Sequence, residues 1–204
     1  AYLDEGVGLT RAKGYGVLWD RSHKPAEVGY TDQIVSFTGK LNTGVVLVNT
    51  EFTSSERGWN LIGNPYPCTV DWDVINDNIT NVNDAVYVWN PVLGGTNKYG
   101  RYGSYVDGVA VNGQSNFIAP MQGFFVRANA ASGSVAFTNG AKTASASTFK
   151  DAVMQTVVRL ALSDAQGATD ESVIRFHALA TEAFDGNLDA YKLKAVTSLT
   201  PQLY

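Results

Sequence analysis

Apolar and aromatic residues in this chain come in short runs, and each run is bounded by Gly, Asn, Asp, Ser or Pro. The runs fall at 15–19, 34–38, 44–48, 59–63, 85–89, 123–127, 135–138, 157–162 and 172–176. Segments this short cannot supply the continuous apolar stripe of a helix. Their Val, Ile, Phe, Tyr and Trp side chains suit half-buried, pleated backbone instead. Turn residues at this spacing let successive strands fold back on one another. The pattern therefore predicts an all-β fold, an antiparallel β-sandwich or jelly roll with few short helices. Helical signals are confined to 70–78, after two prolines, and 181–188, where Asp185 and Gly186 would end a helix early. Trp59, Leu61 and Trp89 sit in the strongest strand patterns and are the expected core.

Composition narrows the function classes. Only 17% of the 204 residues are charged, against about 25% in an average domain. The surface must rely on neutral polar groups, and 17 Thr and 15 Asn supply them. A hydrophobic content of 45% with a net charge of −4 excludes general disorder. The negative balance and the lack of any Lys/Arg run disfavour nucleic acid as a partner. No stretch approaches the roughly 18 to 20 apolar residues that span a bilayer, so membrane insertion is not expected. Cys68 is the single cysteine, so no internal disulfide can form. The chain opens Ala1-Tyr2-Leu3-Asp4 without an initiator Met, which reads as a processed chain or a piece of a longer one.

A shift to small residues over 141–149 marks a linker or long loop between a β-sandwich region at 1–140 and a smaller β unit at 150–204. About 55 residues make a marginal core alone, so the second unit is expected to pack on the first.

The most distinctive segment is Gly58-Trp59-Asn60-Leu61-Ile62-Gly63-Asn64-Pro65-Tyr66-Pro67. It reads as a strand broken at Gly63-Asn64, after which two prolines restrict the backbone. Tyr66 would cover the core edge, and Asp71 would cap a following helix. The segment, with Asp71-Trp72-Asp73, Tyr87-Val88-Trp89 and Ala119-Pro120-Met121-Gln122-Gly123-Phe124-Phe125-Val126, resembles large secreted and surface proteins of the Bacteroidetes exported by the type IX secretion system. A second match runs from Asp170 to Phe176 and on to Leu193, a part that commonly precedes a C-terminal sorting domain in such proteins. Cys68 departs from the Ser expected after Asn-Pro-Tyr-Pro. The resemblance implies an extracellular or outer-surface location and implies no particular activity.

Candidate sites follow from residue chemistry. Neither His23 nor His177 stands in a nucleophile motif, and nothing singles out a carboxylate pair, so a non-enzymatic role is expected. Asn97, Tyr99, Arg101, Tyr102 and Tyr105 form a Tyr- and Gly-rich loop that could stack on sugar rings or meet another protein; its alternative role is packing at a sheet edge. At least two of its three Tyr rings are expected to be exposed. Calcium, which takes oxygen ligands, is the candidate cation. Its ligands would be Asp185, Asn187 and Asp189, or Asp71 and Asp73 with Asp77 beside them. The same residues also serve as caps and turn formers. The expected function is a structural, adhesive or assembly module whose partners are other surface subunits or a polysaccharide. The alternative is a carbohydrate-binding module of an exported polysaccharide-degrading enzyme.

Overall fold

The computed structural model describes residues 8–16, 39–54, 58–90, 93–95, 100–144, 156–194 and 201–203. The runs at 17–19 and 34–38 lie outside these residues, as do 145–155. Within them the fold is all-β, with antiparallel pairing throughout the sheets and one short helix. No helix among the described residues is long and apolar enough to cross a membrane.

A five-stranded sheet has the order β2-β9-β5-β6-β7. Its strands are β2 (Trp59–Gly63), β5 (Ala85–Asn90), β6 (Arg101–Val106), β7 (Val109–Val111) and β9 (Gly123–Arg127). Alternation sends Ile62, Val86, Tyr105, Phe124 and Val126 to one face. There they meet Val46 of β1 (Val46–Thr50) and Val135 and Phe137 of β10 (Gly133–Phe137). These two strands pair in a second, three-stranded sheet with β4 (Ile79–Thr80). A third small sheet joins β3 (Thr69–Asp71), β8 (Phe117–Ile118) and β11 (Lys142–Thr143). Val70 and Ile118 from it enter the same core, giving a β-sandwich-like arrangement. Helix α1 (Trp72–Asn76) adds Trp72 and Ile75, both fully buried. Asp71 caps it as expected, accepting from the Asp73 N–H at 3.0 Å. The 70–78 signal thus resolves into the end of β3, one short helix and its C-cap at Asp77.

The other face of the large sheet carries Ala85, Tyr87, Tyr102, Val106 and Phe125. Ala190, Tyr191 and Leu193 cover it, and the Tyr191 N–H donates to the Tyr87 hydroxyl at 2.8 Å. Trp59 belongs here, edge-on to Tyr87 and Tyr191, and Trp89 sits edge-on to Tyr102. Trp59, Leu61 and Trp89 are half-buried rather than central. The reason is sheet position: β2 lies first in the strand order, and Trp89 lies near the end of β5.

The hairpin β12 (Val157–Ser163) and β13 (Thr169–Arg175) forms a two-stranded sheet of its own. The described residues after 155 contact the body at several points. Ala168 bridges Gly94, Arg159 donates to the Ala110 carbonyl, and Arg175 pairs with Asp107 at 2.7 Å. Residues 141–143 are not linker: Ala141 is fully buried and Lys142–Thr143 pair with β3. The helix read at 181–188 is also absent. Asp185 and Gly186 shape a turn there, and the Asn187 N–H bonds the Asp185 carboxylate at 2.9 Å.

The Asn-Pro-Tyr-Pro corner ties the sheets together. The Asn64 side chain, 4% exposed, donates to the carbonyls of Cys68, Ile118 and Ala119, and accepts from the Tyr66 N–H. Tyr66 goes deeper than an edge cover, at 1% exposure. Its hydroxyl lies between the carbonyls of Gly44 and Phe137, and the Lys142 ammonium sits 3.9 Å over its ring. Burial pushes its phenol pKa up. The most recognisable sequence segment is therefore a structural corner.

Candidate functional site

The described part of the Tyr-rich segment, residues 100–105, does not form an exposed loop. Asn97 and Tyr99 lie outside the described residues, as does His23. Arg101, Tyr102 and Tyr105 lie on β6, an interior strand with both faces covered. Residues three apart on a strand face opposite ways, so Tyr102 and Tyr105 enter different clusters. Tyr105 is 7% exposed and its hydroxyl donates to Asp73 Oδ1 at 2.8 Å. Tyr102 is half-buried between Trp89 and Phe125. Of the two rings described, Tyr105 is not exposed, because neither Gly100 nor Gly103 interrupts the strand. Gly100 precedes the strand, and Gly103 fits a site where an added Cβ would meet Gln114 at 2.9 Å. Arg101 is buried, donating to the carbonyls of Gly100 and Pro201.

Asp71 and Asp73 join a compact polar network. The Asn116 amide donates to Asp71 Oδ1 at 2.7 Å and to Asp73 Oδ2 at 3.2 Å. Burial and then the bond to Asp73 push the Tyr105 phenol well above its ordinary pKa. Asp185 and Asp189 also hold backbone: the Asp185 N–H donates to Asp189 Oδ2 at 2.7 Å. Among the described residues no group of three His, Cys, Asp or Glu is gathered as a metal site. If these carboxylates act through turn and cap bonds, melting curves in chelator and in millimolar calcium should coincide. A rise in melting temperature with calcium would assign them to the metal instead.

A polar cleft of about 500 Å³ lies where α1 and β4, the β6–β7 turn and the 177–188 segment meet. Asn76, Asn81, Asp84, Asp107, His177 and Asn187 line it with aliphatic side chains between them. Asp107 begins the Asp107-Gly108 turn, where both residues adopt positive φ as a tight hairpin requires. Asp84 is buried, and its Oδ1 accepts from Trp72 Nε1 at 3.1 Å. Burial raises its pKa to about 7, the Trp72 bond opposes the rise, and the Asp107 and Asp73 charges add to it. Nothing in the sequence marks Asp84. An Asn-Asp pair before a strand looks like any turn, and the Trp that binds it lies twelve residues earlier.

The sign of the Asp84 effect is distinctive. Its folded pKa is above the unfolded value, so its contribution is fully present below about pH 4 and is lost as pH rises toward 7. Asp84→Asn should keep an acceptor for Trp72 and remove that loss. We expect the variant to gain on the order of 1–2 kcal/mol over wild type at pH 8, after allowance for solvent screening, and little at pH 4. Urea melts at the two pH values check this. A gain of equal size at both would show that the charge is not the cause.

The fold and these networks define an all-β, sandwich-like domain whose buried polar side chains hold turns and strand ends. A family model described as "Domain of unknown function (DUF8693)" matches residues 1–201, and the chain belongs to that family. No curated protein and no solved structure gives a match.

Proposed function

We propose that the chain is a non-catalytic structural, adhesive or assembly module of a secreted or cell-surface bacterial protein. One observation carries the reading: Arg101, Asp71, Asp73, Tyr105, Asp185 and Asp189 are engaged in bonds within the fold. Arg101 grips Pro201, Asp71 caps α1, Asp185 and Asp189 close a turn, and Tyr105 locks onto Asp73. The resemblance to exported Bacteroidetes proteins supports an extracellular or outer-surface location. Protease treatment of intact producing cells would check it, with rapid loss of the protein as the expected result.

The carbohydrate-binding alternative is favoured by the cleft, where Asn76, Asn81 and Asn187 line the same depression as Asp84 and Asp107. Incubation with insoluble polysaccharides and a glycan array separates the two readings. The module reading expects the protein to stay in the supernatant. Retention that Asn81→Ala abolishes would replace it with the carbohydrate-binding reading.

A further inference from the structure

The hairpin β12–β13 meets the rest of the protein mainly through the odd-numbered side chains, with Asp170 the contact from the even-numbered set. Its odd-numbered side chains reach the body: Arg159 bonds the Ala110 carbonyl and Glu171, Glu171 accepts from the Asn112 N–H, and Arg175 pairs with Asp107. Directly paired residues of an antiparallel ladder share a face. Val158 lies opposite Ile174, Leu160 opposite Ser172 and Leu162 opposite Asp170; of this even-numbered set Asp170 is held by the body, and the apolar members are exposed. Phe176 continues that face, since its N–H extends the ladder to the Thr156 carbonyl. The result is an apolar stripe exposed by 44% at Val158, 48% at Leu160, 38% at Leu162, 52% at Ile174 and 62% at Phe176.

A contiguous apolar stripe on a two-stranded sheet is not explained by packing within the described residues. Hairpins are marginal when one face is left to water, and patches of this kind mark contact surfaces. The charge pattern says which partner fits. Within the two strands the even-numbered face has one ionisable residue, Asp170, and it is buried against Lys192 at 2.7 Å. A face without free charge can meet its own copy with no like charges opposed. Every hairpin Arg and Glu lies on the opposite, body-facing side.

We propose that this face docks a second copy of the chain, hairpin on hairpin across a two-fold axis, closing a small sandwich around Val158, Leu160, Leu162, Ile174 and Phe176. This inference rests on the assembly reading above and names the partner. The exposed stripe amounts to roughly 400 Å² per copy, so a pair removes about 800–900 Å² of apolar side chain, near the ~1,000 Å² that a specific but weak interface needs. Association is therefore expected in the micromolar range and to depend on concentration.

Sedimentation velocity of the wild-type chain over roughly 1 µM to 1 mM tests this. The expected result is a monomer–dimer equilibrium that Leu160→Lys weakens by at least about tenfold. Leu47→Lys, at a leucine 62% exposed on β1, should leave it unchanged. Circular dichroism melts should show Leu160→Lys folded, since exposed positions usually change stability by about 0.5 kcal/mol or less. If it does not fold, Ile174→Ser takes its place with the same expected loss of dimer. A wild-type monomer at 1 mM overturns the second-copy inference and leaves the module reading standing, as does a dimer that Leu160→Lys and Ile174→Ser do not weaken. Polysaccharide retention overturns the module reading whatever the sedimentation shows.

Discussion

Trp72→Ala should remove a large part of the protein's stability. The indole is fully buried, sits edge-on to Phe124 at 6.0 Å between ring centroids, and donates its Nε1–H to buried Asp84. Truncating a buried aromatic costs about 3–5 kcal/mol, and a buried acceptor left without its donor adds about 1–3 kcal/mol. Whole domains are stable by only about 5–15 kcal/mol. At about 2–4 °C per kcal/mol for a chain of this size, the melting temperature should fall by roughly 10–30 °C. Trp89→Ala is the comparison: a half-buried ring against Tyr102 should cost clearly less. Equal losses in the two variants would show that α1 does not anchor the core.

Much of that core was legible from pattern, though not its centre. The sequence runs at 59–63 and 123–127 match β2 and β9 residue for residue, because alternation and flanking turns carry the signal locally. Burial is different. It depends on strand order, which no single segment records, so Trp59 looked central and became half-buried. Trp72 follows a cap and belongs to a short helix with little periodicity of its own, yet it is fully buried. The same limit applies to β6. The glycines of the Tyr-rich segment favour a loop locally, whereas tertiary pairing on both sides of 101–106 imposes a strand. The candidate carboxylates were legible as types, since Asp71 and Asp185 take the cap and turn roles that their chemistry allows. The Asp84 cleft was not, because it forms only when the β6–β7 turn meets the 177–188 segment far along the chain. Its lining residues are individually ordinary, and proximity makes them a group.

Asp170→Ala should be as damaging as any core truncation, for a reason of charge. The Asp170 side chain is fully buried and gathers three donors: Lys192 Nζ at 2.7 Å, Asn112 Nδ2 at 2.9 Å and the Leu203 N–H at 2.9 Å. It thereby joins β13 to the segment after β7, to the strap over the large sheet and to 201–203. Its removal leaves the Asn112 amide and the Leu203 N–H without their acceptor and Lys192, 27% exposed, without its counter-charge; breaking a fully buried pair costs about 3–5 kcal/mol, and the partial exposure of Lys192 puts this loss at the lower end. Asp170→Asn keeps the shape and one acceptor, so its loss should be smaller, and the double variant Asp170→Asn/Lys192→Met should recover part of it. The pH dependence separates this carboxylate from Asp84. Burial alone would raise the Asp170 pKa, but the bonds from Lys192, Leu203 and Asn112, with the Lys192 charge, hold it below the ordinary carboxylate value. Its contribution is therefore complete above about pH 4, the unfolded value, and is lost as pH falls through the lower folded one. Asp84 works in the opposite direction, losing its contribution as pH rises from about 4 toward 7. Wild type should be most stable at mildly acidic pH, between the two transitions. In Asp170→Asn the acid limb of the stability curve should flatten while the Asp84 limb remains. An unchanged acid limb would mean that the carboxylate is not ionised in the folded protein, and the account of its lowered pKa would fail.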